Sequence, residues 1–518
     1  MTVPASTPPP FRPPPLPAHQ PPWPPPDAHT TPAPAPAPPR DTRARAVLLI
    51  LVLVHVGVGI EMLIDLNRPD VPLLGDGTFS VLNEDLIAWP LGELMVYGFP
   101  ACWAAAAVAG LAALAGAGRS RRFTRGCRTA VGVLLVLPFA AVSVAMTNIF
   151  VSPRLSTLAL LGCLPSTVFG VLAIHRAQRY RRMPLWLPLA AFGGGLVVGG
   201  GFGATMGTWL GSHLPNYLWT PGTGAQQLEH TVNTAVYTGA GVFEELSKGA
   251  VIAVLFLLFR RHFDGVVSGV VIGAMAGLGF NYVESVLYIT YGDGVYANLQ
   301  YWLRQSLGLM AAHTAFTAAI GAGFGIARQL RTPGARRAVI ACGFLAAIGT
   351  HATNNLLLRY FQHEVGDWFP GASDAVWVLV VFPAAILLLQ GPLLVLYLLL
   401  LRRGLRDQAA GLAVELSAEA ARGHGAVTWG ELPALLNPAR RFRVKVDALR
   451  RGGGLRVHRR LGRLHAAQFD LGMHLWHASR DEVDPYDTRN EAQLRERVLR
   501  LKAEGAAPFP GPDAGVAT

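Results

Sequence analysis

Lysine is almost missing from this 518-residue chain: Lys248, Lys445 and Lys502 stand against 41 arginines. Charge of either sign is sparse, at 15% of residues, while 51% are hydrophobic. That balance excludes an ordinary soluble protein, because the apolar residues are clustered into runs of about 20, each able to cross a hydrocarbon core about 30 Å thick. Cysteine is scarce too. Cys102, Cys127, Cys163 and Cys342 fall in or beside the apolar runs, and none has Cys-x-x-Cys or metal-ligand spacing. They exclude a disulfide framework and read as small apolar fillers. The preference for arginine, with abundant alanine and glycine, fits a GC-rich bacterial coding bias. A charged start followed by a short apolar run is absent, so the beginning of the chain is not a cleavable signal peptide.

What is present is a polytopic, all-α membrane protein: a transmembrane helical bundle of about ten spans with a cytoplasmic C-terminal region. Residues 1–44 form a proline-rich cytoplasmic tail, 18 of the first 39 residues being proline. Such a stretch favours polyproline II or disorder and serves as a spacer. Spans are expected near 45–66, 91–117, 129–150, 156–175, 184–205, 238–259, 265–289, 306–327, 337–358 and 374–401. They divide into a five-span N-terminal region (45–205), an extracytoplasmic loop (206–237), a four-span core (238–358), and a loop with the final span (359–401). Basic clusters recur in every second connection: Arg119–Arg128, Arg176–Arg182, Arg260–Arg261, Arg328–Arg337 and Arg402–Arg406. The loop after the first span, ahead of these clusters, carries Asp70, Asp76, Glu84 and Asp85 instead. Arginine holds loops on the cytoplasmic side, which puts both termini in the cytoplasm of a bacterium and the chain in its inner membrane. The same rule explains the net charge of +12 without invoking nucleic acid. Residues 402–518 read as a polar, arginine-rich region with a helix near Glu491–Lys502 and a strand at Phe442–Val446; its arginines form a solvated or lipid-facing surface.

Against this background Glu244-Glu245-Leu246-Ser247-Lys248 stands out, with three ionisable groups inside an apolar run. Each would cost roughly 2.5–3.5 kcal/mol on insertion unless it faced an aqueous site. The next three spans add Phe280-Asn281-Tyr282-Val283-Glu284, His313, and His351 with Asn355 one turn later. All lie one to two turns, about 10 Å, from the expected outer ends of their helices. Four consecutive spans thus deliver Glu244, Glu245, Lys248, Glu284, His313, His351 and Asn355 to one layer. Each has a plain structural reading alone: an i,i+4 pair for Glu244 and Lys248, a packing carboxylate for Glu284, interhelical hydrogen bonding for the histidines and Asn355. Their common depth points instead to a hydrolytic site. One of two confined carboxylates can take a proton from water, Lys248 can hold the other ionised, and imidazole and amide can donate to the oxygen that turns negative when water attacks a carbonyl. Glu284 and His313 could orient the water or return the proton to a leaving amine. Ser247 lacks an activator, which favours direct water attack over an acyl-enzyme. Neither the number nor the spacing of the glutamates and histidines rules out Zn²⁺. However, a His-Glu-x-x-His pair is absent and Lys248 already supplies positive charge, so the expectation is no metal and no cofactor. Glu61 and Glu93, in or at the edge of early spans, read as structural.

The segments Glu244-Glu245-x-x-Lys248, Phe280-x-x-x-Glu284, His313 early in the next helix and His351-x-x-x-Asn355 resemble, in order, the motifs of the PrsW family of intramembrane proteases. That family is related to the CAAX-protease and bacteriocin-processing superfamily. The resemblance covers residues 238–358 and leaves out the proline-rich tail and residues 402–518. It implies that a motif glutamate activates water, Glu244 before Glu245, and that the His/Asn helix supports the oxyanion. It also implies a single-span membrane protein as substrate, such as an anti-sigma factor, cut near the extracytoplasmic face. A proton-coupled transporter using the same carboxylates as a relay and a non-catalytic membrane scaffold remain as alternatives. A transporter would show polar groups at several depths or an inverted repeat.

Overall fold

The structure, a computed structural model, describes residues 42–69, 92, 94–116, 120–291, 294–368, 371, 373–450, 454–483 and 489–505. The tail up to residue 41, the acidic loop with Asp70, Asp76, Glu84 and Asp85, and Glu93 lie outside the described residues. All regular structure among the described residues is helical. In chain order the helices are α1 (Thr42–Leu66), α2 (Leu94–Ala115), α3 (Arg121–Ala145), α4 (Pro153–Ala177), α5 (Trp186–Leu218), α6 (Ala225–Phe259), α7 (Val266–Tyr291) and α8 (Gly294–Trp302). They continue with α9 (Ala312–Gln329), α10 (Pro333–Trp368), α11 (Trp377–Ala421), α12 (Leu432–Leu436), α13 (Pro438–Ala448), α14 (Gly454–Ser479) and α15 (Glu491–Ala503).

Seven of these, α1 to α5, α7 and α11, are long and apolar enough to cross a membrane by length and composition alone. The expected spans over 238–259, 306–327 and 337–358 correspond to α6, α9 and α10, which carry the ionisable and polar side chains described below. Several helices are longer than their apolar runs. Residues 206–218 and 225–237, expected as loop, are helical, as are 359–368 and 402–421. Hydropathy marks only the stretch that suits lipid, whereas backbone hydrogen bonding carries a helix beyond it. Short π-helical turns open α2 and α11, interrupt α5 at Gly195–Gly199 and follow α8 at Leu303–Leu307.

The strand expected at Phe442–Val446 is a correction: those residues lie inside α13. The Arg443-Val444-Lys445-Val446 alternation imitates a strand, but Asn437 starts a helix instead. Its side chain accepts from the backbone N–H groups of Ala439 and Arg440 with Pro438 in the first turn, the arrangement that satisfies a helix's orphan donors.

Helix α7 is the centre of the bundle, buried along 89% of its most apolar window against 17% for α1. Without a hydrophobic driving force between helices in lipid, close approach depends on small residues, and α7 supplies Gly269, Gly273 and Gly277 to its crossing with α9. A methyl added at any of them would run into α9 backbone: Gly321 O, Thr317 O and His313 O respectively. Gly279 likewise abuts Phe192 O on α5. We expect Gly277→Ala to destabilise the protein by about 1–3 kcal/mol through overpacking, read as a lower unfolding midpoint in detergent; a change within error would contradict this tight crossing. Beyond the membrane helices, α14 and α11 share a second core of Leu412, Leu416, Phe469, Met473 and Trp476.

Candidate active site

The two motif glutamates of α6 are held very differently. Glu245 is fully buried, and both of its oxygens are engaged: Oε1 accepts from Lys248 Nζ at 2.6 Å and faces His351 Nδ1 at 3.1 Å, while Oε2 accepts from Thr317 Oγ1 at 2.8 Å. Glu244 keeps 12% of its side chain exposed, and its Oε2 is surrounded more loosely, by Lys248 Nζ at 3.5 Å, His351 Nε2 at 3.7 Å and His313 Nδ1 at 3.9 Å. The helix repeat places Lys248 one turn below both carboxylates. Its ammonium also lies 3.9 Å from the Phe280 ring centroid, a cation–π contact that helps to hold a fully buried charge.

Each neighbouring helix contributes one oriented group. From α7, Glu284 Oε2 faces His313 Nε2 at 2.6 Å and accepts from Arg304 Nη1 at 2.8 Å. The carboxylate therefore holds the His313 N–H on Nε2, leaving the Nδ1 lone pair towards Lys248 Nζ at 3.3 Å. From α10, His351 turns Nδ1 to Glu245 and so presents Nε2 to Glu244; its ring stacks on Phe316 at 4.9 Å and 19°. The second nitrogen of each imidazole fixes the tautomer of the first. Close helix approach again sets the geometry. A Cβ on Gly241 of α6 would lie 2.8 Å from Ala352 N beside His351, and one on Gly203 of α5 would lie 2.9 Å from Glu244 Cγ.

Six of the seven residues singled out in the sequence thus meet in one cluster. Asn355 does not join them; its Nδ2 donates to the Tyr237 carbonyl of α6 at 3.4 Å. Its neighbour Asn354 is buried and accepts from Gln390 of α11 at 3.1 Å. Ser247 Oγ donates to the Glu244 carbonyl at 2.8 Å, which occupies it structurally. Glu61 has a partner in His213 Nε2 at 3.4 Å, across α1 and α5. Sequence reasoning missed Thr317 and Arg304. Arg304 lies in the π-turn before α9, stacked 3.9 Å over the Tyr288 ring; the one signal for it was an arginine in a connection otherwise poor in arginine. We expect Arg304→Gln to slow turnover about 10-fold, with partial rescue by Arg304→Lys, because Glu284, which orients His313, loses the guanidinium that braces it. A rate unchanged by Arg304→Gln would remove Arg304 from the site.

Residues 183–388 match the family model described as PrsW family intramembrane metalloprotease. That segment is similar to the PrsW family. The matched segment runs from just before α5 into α11 and contains every residue of the cluster. No curated protein and no solved structure shows a significant match. The match supports a peptide hydrolase of the membrane over the carrier and scaffold alternatives.

The family's description implies a metal, and the donor set fits one. Glu244, His313 and His351, all buried, each bring a ligand atom, and those atoms lie within 4.8 Å of one another. The far nitrogen of each histidine is already engaged by a carboxylate, His351 by Glu245 and His313 by Glu284, as is usual for imidazoles that ligate a metal. Lys248, in contact with two of the same groups, brings a positive charge to the same point.

Proposed function

We propose that this protein cleaves a single-span membrane protein, such as an anti-sigma factor, near the extracytoplasmic face, with Glu244 activating the attacking water. The observation that carries the reading is the unequal environment of the two glutamates. Glu245 is fully buried and held by Lys248, His351 and Thr317, whereas Glu244, buried but with 12% of its side chain still exposed, is loosely surrounded, so it is the carboxylate better placed to receive a proton from water. Glu245 then acts as the anchor that holds Lys248 and His351 in place. The Lys248 ammonium stands where the oxyanion formed on the scissile carbonyl can be stabilised, in surroundings where a fixed charge acts far more strongly than in water. The lone pairs of His351 Nε2 and His313 Nδ1 face Glu244 and can carry its proton to the leaving amine. Glu284, braced by Arg304, keeps His313 in the tautomer this transfer needs. A metal ion held by Glu244, His313 and His351 would add polarisation of the water and of the carbonyl.

The outer-face position rests on the alternation of arginine-rich connections, which puts both termini and residues 402–518 in the cytoplasm. A cysteine placed near residue 295 should accordingly be labelled from outside intact cells.

The test compares membrane and secreted proteomes of the native host carrying wild type, Glu244→Gln or His351→Ala. A single-span protein should accumulate uncleaved in both variants while the protease itself remains at normal abundance. Equal processing in all three strains would reject the proposal. A chelator added to purified enzyme separates the two sources of charge: an unchanged rate assigns it to Lys248, and a lost rate restored by zinc adds the ion.

A further inference from the structure

Helix α15 turns its apolar side inward, burying Leu494 and Val498, the ordinary arrangement for a helix at a protein surface. Helix α13 does the reverse. Its buried side chain is Arg441, whose guanidinium donates to the carbonyls of Leu435, at 2.6 Å, and of Arg179, and lies 4.8 Å from the Phe469 ring centroid of α14. Lys445, one turn on, is half-buried on the same side, and its carbonyl faces His458 Nδ1 of α14 at 3.1 Å. The large apolar side chains point the other way. Phe442 is 68% exposed, and Leu449, whose backbone carries the helix one residue further, is 40% exposed. With the half-buried Val446 they fall at i, i+4 and i+7, which makes a single ridge.

One exposed phenylalanine or leucine is common on a protein surface, whereas a continuous ridge marks a contact. Charge says what kind of contact. The exposed Arg443 and Arg450 lie about 80–100° round the helix from Phe442, and Lys445 and Arg441 lie about 60–100° round it the other way. The ridge therefore runs between two rows of cations, while Asp447, the acid of this helix, stands about 140° from Phe442. That is the cross-section of a helix lying in a lipid headgroup layer, apolar ridge inward and cations at its flanks. Position agrees with charge. Through Arg179, Arg441 fastens α13 to the connection between the membrane helices α4 and α5. Lys445 lies by the same connection: burial first, and then the charges of Arg182 and Arg441, hold its ammonium below the usual range. The ridge adjoins this side of the helix.

We propose that α13 is an interfacial helix, with Phe442, Val446 and Leu449 entering the headgroup layer beside α4 and Arg443 and Arg450 pairing with acidic phospholipids there. Such binding grows with the apolar area inserted and with the negative charge of the lipid. It gives the C-terminal layer a hold on the bilayer of its own, besides the continuity of the chain through α11.

The test uses full-length protein in nanodiscs, with the photoreactive p-benzoylphenylalanine in place of Phe442, Leu449 or Asp447. All three sites are exposed, and an unchanged unfolding midpoint identifies the labelled proteins that keep their fold. Irradiation should join the probe at Phe442 and at Leu449 to lipid, read by mass spectrometry, and the probe at Asp447 far less. The lipid adduct should rise roughly two-fold or more from discs of phosphatidylcholine alone to discs containing phosphatidylglycerol. That rise should disappear in the Arg443→Gln/Arg450→Gln variant. Adducts from Phe442 and Leu449 to another part of the chain, to a second copy or to nothing would overturn the proposal. So would equal lipid adducts at all three sites, or equal yields in the two kinds of disc.

Discussion

Glu244→Gln is expected to lower the rate of substrate cleavage by about 10²–10⁴-fold, the range removed with a general base, while leaving the protein folded. Both halves of this expectation follow from the same geometry. The nearest cation to Glu244 is Lys248 Nζ at 3.5 Å, and its two imidazole neighbours lie farther off, at 3.7 and 3.9 Å, so a neutral amide of the same shape costs little packing. Glu245→Gln should behave differently. It removes the acceptor shared by Lys248 and His351 and places an amide beside Thr317, so activity and stability should fall together. The measurement is single-turnover cleavage of a reconstituted substrate alongside the unfolding midpoint of each variant. If Glu245→Gln lost only activity and Glu244→Gln lost mainly stability, the roles would have to be exchanged.

The contrast between the two glutamates was not legible in the sequence. Adjacent identical residues on one helix differ by about 100° in direction, and nothing in Glu244-Glu245 says which of them meets Thr317 and His351. What could be read was the depth of the charges: buried ionisable groups in apolar runs are costly enough to be informative one by one, and Glu284, His313 and His351 were found that way. Thr317 is invisible to that argument because threonine is common at helix contacts in membranes. The place of Asn355 was hard to read for a related reason. A residue four positions after His351 shares its side of the helix but lies a full turn, about 6 Å, farther along it, and there it reaches the Tyr237 carbonyl. The α13 misreading has another origin, since alternation of valine with basic residues suits a strand and a half-buried helix alike, and Asn437 with Pro438 carried the deciding signal. The central position of α7 follows from its glycines, but only once the crossing with α9 shows that their missing Cβ atoms are filled by backbone.

Lys248→Met is expected to destabilise the protein by about 3–5 kcal/mol and to abolish cleavage. The lysine is fully buried, and its strongest contact is the 2.6 Å pair with a Glu245 that is itself fully buried. Removing one member of such a pair leaves the other as an uncompensated charge in a medium that solvates it poorly, and that loss exceeds the net worth of the pair. The double variant Lys248→Met/Glu245→Gln separates the two consequences. With no charge stranded, much of the stability should return, because exchanging a buried ion pair for uncharged groups of similar volume is often near neutral. Activity should not return, since the methionine cannot stabilise an oxyanion and the glutamine cannot hold His351 in the orientation that faces Glu244. The observable is a thermal unfolding series on the two single variants and the double, with cleavage assayed on each. Strict additivity of the two losses would mean that Lys248 and Glu245 act independently, and the anchor on which the site is built would have to be sought elsewhere.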